Sequence, residues 1–162
     1  EIRKRGIQCE FHLFGQRQPE EFLNELIKIQ GVEHHGLIMP LDKRFEIMEK
    51  AHCFILPSSF NQQNHSHYRY SFPTKLPELI ASGRPIISYG PSDTSTNRLL
   101  SKNNLGIRVH KRSIVKLTNT IIQTIESYAD AIAKSSFLNV DDQKKFSAVQ
   151  VRDKFYNIMN QI

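Results

Sequence analysis

Glycine-rich phosphate loops are missing from this chain of 162 residues. It has no Gly-x-Gly-x-x-Gly turn, which argues against a dinucleotide-dependent dehydrogenase, and no Gly-Lys-Ser/Thr loop, which argues against a P-loop enzyme. Cysteine is scarce. Cys9 and Cys53 both fall in expected strands, where they read as small buried hydrophobes, and nothing supports a disulfide between them. No apolar run approaches the length of a membrane span, and no signal-like segment opens the chain, so the expected location is cytoplasmic. Internal repeats, low-complexity tracts and long linkers are absent as well. So is a basic stripe interleaved with aromatics, which removes nucleic acid from the expected partners.

What is present describes an ordinary globular α/β protein. Hydrophobic residues make up 39% and charged residues 23%, which suits a packed core rather than disorder. The net charge of +6 favours an anionic partner: a phosphate-bearing substrate, or the acidic inner face of a membrane. Short apolar strands alternate with amphipathic helices, the pattern of an open parallel sheet with helices on both faces. The strands are expected at 7–14, 32–37, 53–56, 85–89 and 105–109. Between them, helices are expected over 19–30 (Phe22, Leu23, Leu26 and Ile27 inward), over 43–51 (Phe45 and Met48 inward) and from Asp93 or Thr94 to Lys102. Asp42 is the expected N-cap of the second. A long helix follows over 113–135, with Ile114, Leu117, Ile121, Ile125, Tyr128 and Ile132 on one face. A last helix, within 136–162, starts at Asp141 and carries Phe146, Val149, Phe155, Ile158, Met159 and Ile162. Phe60 to Tyr70 is the least regular stretch; its His65-x-His67 pair lacks acidic or cysteine company and reads as exposed.

The most informative run is Ser71-Phe-Pro-Thr-Lys-Leu-Pro-Glu-Leu-Ile-Ala-Ser-Gly83. Pro73 and Pro77 suit a helix's first turn, Ser71 or Thr74 can cap it, and Gly83 stops it where a left-handed residue is wanted. A helix start favours an anion, Lys75 adds a positive charge, and Glu78 can meet a pair of hydroxyls. On local pattern alone the favoured reading of Lys75 and Glu78 is the plainer one, surface charges on a capped helix. Gly15, the 39–43 loop, Ser58 and Ser71 to Glu78 all fall at the carboxyl ends of expected strands, where open α/β sheets bind ligands. Each has a plain alternative. Gly15 can be a turn residue needing positive φ, 39–43 a bare connection, and Arg69 a solvated loop charge rather than a second cation for a diphosphate. Strand ends at Gly15, Pro57-Ser58 and Tyr89-Gly90 lack the acids of a receiver-like module.

The Pro73-x-Lys75-Leu76-x-Glu78-x-x-Ala81-x-Gly83-x-Pro85 pattern resembles the donor segment of GT-B glycosyltransferases, in particular the retaining, bacterial group 1 polysaccharide transferases. Phe11-His-Leu-Phe-Gly15, Gly31-Val-Glu-His-His-Gly36, Ala51-His-Cys-Phe-Ile-Leu-Pro-Ser58 and Asn104-Leu-Gly-Ile-Arg-Val109 extend the resemblance in order over roughly residues 6 to 125. One departure stands out: of the family's two glutamates separated by seven intervening residues, the second aligns with Glu78 and the first position holds Tyr70.

The resemblance implies a Rossmann-like, C-terminal nucleotide-sugar-binding domain spanning 1–162, cut from a longer two-domain protein and missing its first strand and helix. It implies Lys75 and Glu78 as catalytic residues. It further implies donor contacts from Ser71, Phe72, Pro73, Thr74, Gly15, Met39, Leu41, Ser58, Arg69 and Tyr70. A nucleoside-diphosphate sugar would be the substrate, with no cofactor and no bound metal, in keeping with the missing Asp-x-Asp pattern. The partners implied are an N-terminal acceptor domain of the same protein and a lipid-linked acceptor at the membrane surface. The isolated piece would bind donor but transfer nothing. A nucleotide-sugar epimerase and a non-catalytic interaction module are the competing readings.

Overall fold

The computed structural model describes residues 1–15, 20–37, 40–128 and 147–159. They form two compact units, Glu1–Ile47 and Met48–Ile162, and the division falls inside a helix. Met39, Ile132, Asp141, Phe146 and Ile162 lie outside the described residues.

The first unit is built on two strands. A 3-10 turn over Arg3–Arg5 stops at Gly6, whose φ of 79° is left-handed. The Arg3 guanidinium then donates two hydrogen bonds, at 3.1 and 2.8 Å, to the Cys9 carbonyl. β1 (Phe11–Leu13) and β2 (Val32–His34) pair in parallel, with His12 opposite Glu33, and α1 (Glu20–Leu26) links them. α2 (Leu41–Lys50) follows. These elements are shorter than the apolar pattern suggests. Cys9 precedes its strand instead of lying within it. Ile27 lies beyond α1, and both it and Phe22 are exposed rather than inward-facing, because two strands offer too little surface to cover a helix face. Asp42 sits inside α2 rather than at its cap, and Phe45 is exposed while Met48 is buried.

The second unit holds a three-stranded parallel sheet in the order β3-β4-β5: Phe54–Pro57, Ile86–Tyr89 and Ile107–Val109. Between β3 and β4 come α3 (His65–Tyr70) and α4 (Leu76–Ala81); α5 (Ser95–Asn103) joins β4 to β5, and α6 (Ile114–Glu126) and α7 (Ala148–Met159) follow. The stretch from Phe60 is therefore not irregular. Ser59 Oγ accepts from the Asn61 N–H and Asn61 Oδ1 from the Gln63 N–H, both at 3.0 Å, and these local bonds start a 3-10 turn that runs into α3.

β4 is the middle strand, and Ile86, Ile87 and Ser88 are fully buried, as a strand covered on both faces must be. Leu76 and Ile80 of α4, Leu100 of α5 and Leu105 close around Ile86 as one core. The turns obey their residues: Gly83 (φ 70°) ends α4, and Asn104 (φ 52°) ends α5. Arg84 reaches back to the Glu49 carbonyl at 2.5 Å and to the Tyr128 hydroxyl, against whose ring His52 packs edge-on. Both cysteines are free, and burial pushes the Cys53 thiol pKa up. Both flank strands rather than lying in them.

The buried stripe of α6 differs from the expected one. Ser113 caps the helix, its Oγ accepting from the Lys116 N–H, and Thr118, Ile122 and Thr124 are buried while Ile114 is exposed. Two threonines can face inward because the hydroxyl can be satisfied on its own helix; Thr124 Oγ1 donates to the Thr120 carbonyl at 2.8 Å. Among the described residues no helix is long and apolar enough to cross a membrane.

Truncating Leu100, which is completely buried in the core around Ile86, should cost about 2–5 kcal/mol through lost burial and the cavity left behind. Urea unfolding of Leu100→Ala should show a lowered midpoint at unchanged slope.

Candidate functional site

The chain segments that leave β3 and β4 approach closely at the carboxyl edge of the three-stranded sheet. Ser58 follows β3 and donates its N–H to the Tyr89 carbonyl at 2.8 Å, and Gly90 follows β4 and donates to the Val109 carbonyl at 3.2 Å. A Cβ at Gly90 would lie 2.6 Å from the Ser58 Cβ and 3.2 Å from its carbonyl, so only glycine fits this approach.

The loop after β4 is held by Asn97 in the first turn of α5. Its Nδ2 donates to the carbonyls of Gly90 (2.9 Å) and Pro91 (2.7 Å), while its own N–H is capped by Thr94 Oγ1 at 3.2 Å. The amide is fully buried, and two carbonyl partners fix which end is nitrogen. Ser95 Oγ then donates to the Ser71 carbonyl and, at 3.3 Å, to that of Tyr68. Arg98 spans the same gap, donating to the Asp93 carbonyl at 2.7 Å and the Arg69 carbonyl at 2.6 Å. Three side chains at the head of α5 thus fix the loop after β4 and pin the end of α3.

Among the expected site residues, Ser58, Arg69, Tyr70, Ser71, Phe72, Pro73, Thr74, Lys75 and Glu78 belong to this unit, whereas Gly15 and Leu41 belong to the other. Met39 is not described. Ser71 to Lys75 runs without regular structure until a turn, Leu76 N–H to Pro73 carbonyl at 3.0 Å, opens α4. Lys75, not Ser71 or Thr74, occupies the N-cap, and no side chain caps the helix. The capping expectation fails because the Pro73 turn starts the helix later, at Leu76. Pro77 lies in the first turn, as expected. Lys75 is exposed and Glu78 half-buried. The spacing from Lys75 to Glu78 puts them one turn apart on one side of the short helix, since residues three apart share a face.

Tyr70 stands 76% exposed, with the Arg69 guanidinium 5.7 Å from its ring centre. Arg69 Nε also lies 4.0 Å from the Asp93 carboxylate, at the limit of an ion pair. Phe72 is exposed. In the other unit, the Gly15 N–H bonds the Gly36 carbonyl at 2.9 Å. Gly15 is not at positive φ, which removes the turn explanation for it; Gly36 is, at 69°. A Cβ at Gly15 would meet nothing within 4 Å. Leu41 opens α2, so Leu41 to Lys43 is helix rather than loop.

Asn97, Ser95 and Arg98 are site-building residues that the sequence pattern did not single out. The signal was the run after Asp93-Thr94: a small polar cluster at a helix start, read only as a cap.

Parallel α/β sheets flanked by helices, with polar loops gathered at a strand-end edge, define a Rossmann-like class of fold. Within that class the chain belongs to the family of glycosyl transferases group 1, whose sequence model matches residues 1–127. It is a GT-B-type glycosyltransferase domain. No match was found among curated proteins.

Gly90→Ala tests the tight edge directly. The added methyl should destabilise the chain by about 1–3 kcal/mol. Adding Ser58→Gly, which removes the clashing Cβ, should recover part of that loss in a double-mutant cycle of urea midpoints, the recovery stopping short because the Ser58 carbonyl remains.

Proposed function

We propose that this chain is the donor-binding half of a group 1 glycosyltransferase. It takes a nucleoside-diphosphate sugar, and the sugar passes to a saccharide or lipid-linked acceptor in cell-surface polysaccharide synthesis, at the inner face of the membrane. The acceptor is recognised by another domain of the same protein. The observation that carries the reading is the Pro73-x-Lys75-Leu76-x-Glu78 run at the head of α4, inside the stretch the family match covers.

In this reading Lys75 and the backbone amides around Thr74 meet the diphosphate, and Glu78 accepts hydrogen bonds from the ribose hydroxyls. As the bond between sugar and diphosphate breaks, negative charge grows on the leaving group. A fixed ammonium beside it stabilises that charge more in the transition state than in the ground state, an effect worth ~3 kcal/mol for one good interaction. Lys75 is suited to this because it is exposed at the helix start. Retention of configuration, transfer without a metal ion, and contacts from Ser58, Arg69, Tyr70, Ser71, Phe72, Pro73, Gly15, Met39 and Leu41 belong to the same proposal. Arg69 enters it with a prior engagement: Asp93 and the Tyr70 ring already lie beside its guanidinium.

Calorimetric titration with UDP and with GDP tests it. One nucleotide should bind saturably, and Lys75→Ala and Glu78→Ala should each weaken binding by about 10-fold or more, the loss expected for a charge-assisted hydrogen bond. Binding unchanged in both variants would remove these residues from the site. No binding of either nucleotide, by this chain or by the full-length protein, would overturn the donor-site reading.

A further inference from the structure

The first unit carries a cluster that the glycosyl-transfer reading does not use. His12 on β1 and Glu33 on β2 are paired across the parallel ladder, so their side chains leave the same face. His35, two residues beyond Glu33, shares that face. The result is a compact triangle of donor atoms. His12 Nδ1 and His35 Nε2 are 2.8 Å apart, Glu33 Oε2 lies 3.4 Å from His35 Nε2, and it lies 3.6 Å from His12 Nδ1.

We propose that His12, Glu33 and His35 bind a divalent transition-metal ion of the zinc class. Three ligands held at 2.0–2.1 Å on a tetrahedral ion stand about 3.3 Å from one another; the two edges to Glu33, 3.4 and 3.6 Å, are already near that size, and the 2.8 Å edge between the histidines has to open by about 0.5 Å. Two imidazoles and one carboxylate make a donor set that leaves a fourth position for water, and it favours Zn2+, Cu2+ or Ni2+ over Mg2+ or Ca2+. The surroundings match a metal site too. Glu10 Oε2 lies 3.2 Å from His12 Nε2, the arrangement that holds the far N–H of a ligating histidine and leaves Nδ1 free to coordinate. Phe14 stacks on the His35 ring at 4.8 Å, and His35 on His12 at 5.0 Å, which fixes both ring planes.

Without an ion, the short contact between the two imidazoles requires a proton between them. An ion takes that proton's place: the neutral imidazole that supplied it carries its N–H on the far ring nitrogen instead, so both facing nitrogens present lone pairs. Because one ligand comes from β1 and two from β2 and its continuation, the ion also ties the strands of this unit together.

Cobalt(II), an optical stand-in for zinc, reads the site directly through its visible ligand-field bands. The wild-type chain should take up one equivalent with the intense spectrum of a four-coordinate ion. Zn2+ should displace it, and Mg2+ should not. His12→Ala and His35→Ala should each abolish the spectrum, Glu33→Gln should weaken uptake strongly, and Glu10→Gln should weaken it by about 10–100-fold. Zn2+ should raise the melting temperature of the wild type and of His67→Ala, but not of His35→Ala. Circular dichroism of each variant, with Glu33→Gln as the mildest, separates ligand loss from misfolding. No uptake by the folded wild type would overturn the proposal. So would uptake unchanged in His12→Ala and His35→Ala, or uptake lost in His67→Ala, which would move the ion to α3.

Discussion

Everything at the candidate site depends on β4 being buried on both faces. Ile86 and Ile87 point to opposite sides of the sheet and neither sees solvent. That requires apolar cover above and below, supplied on one side by the cluster of Leu76, Ile80, Leu100 and Leu105. A strand so enclosed cannot slip register, because a shift of one residue would exchange its two faces and bring both neighbouring ladders with it. The residue that leaves the sheet first, Gly90, is therefore delivered to one place. Its backbone can touch Ser58 there only because it has no side chain.

From that fixed point the order spreads by polar contacts rather than by more hydrophobic burial. The segment from Arg69 to Lys75 buries little of its apolar surface, since Tyr70 and Phe72 stay exposed. Its carbonyls are instead claimed by Ser95 and Arg98, which stand on a helix whose first turn is locked by the buried Asn97 amide. Hydrogen bonds to charged donors are the stronger kind, and Arg98 spends both of its η nitrogens on backbone. An arginine engaged in this way is a strut. It shows why counting basic residues near a loop overstates how many are available for a phosphate, and why Lys75, exposed at the N-cap, differs from its neighbours.

The legible parts of the sequence were those where one local rule acts alone. Pro85-Ile-Ile-Ser-Tyr89 is too short for a helix and uniformly apolar, so a buried strand was the natural reading, and Gly83 and Asn104 marked helix ends through backbone conformation. Reading failed where tertiary context decides. The α6 stripe shifted to Thr118, Ile122 and Thr124 because threonine hydroxyls can be satisfied within the helix, which an apolar-periodicity rule cannot register. Asn61 and Ser59 started a helix where polar composition suggested only a loop. The His12–Glu33–His35 triangle was invisible for another reason. His12 lies far from Glu33 and His35 in the chain, and only the parallel register of β1 and β2 brings it to them.

The two units are held together internally in different ways. In the three-stranded unit, hydrophobic burial and two ladders hold the middle strand, and the polar contacts at its edge are consequences. In the two-stranded unit the exposed Phe11, Phe22, Ile27 and Ile29 show how little apolar cover is available, and an isolated strand pair is marginal in water. The groups that do meet across that ladder are titratable and stacked: His12 on His35, His35 on Phe14, with Glu10 and Glu33 alongside. Placing two imidazoles in direct contact on an exposed face gains little from burial and becomes repulsive once both are protonated. The arrangement makes energetic sense when something positively charged and compact is shared between them, because a bound ion converts a like-charge liability into a cross-link between strands that little else holds.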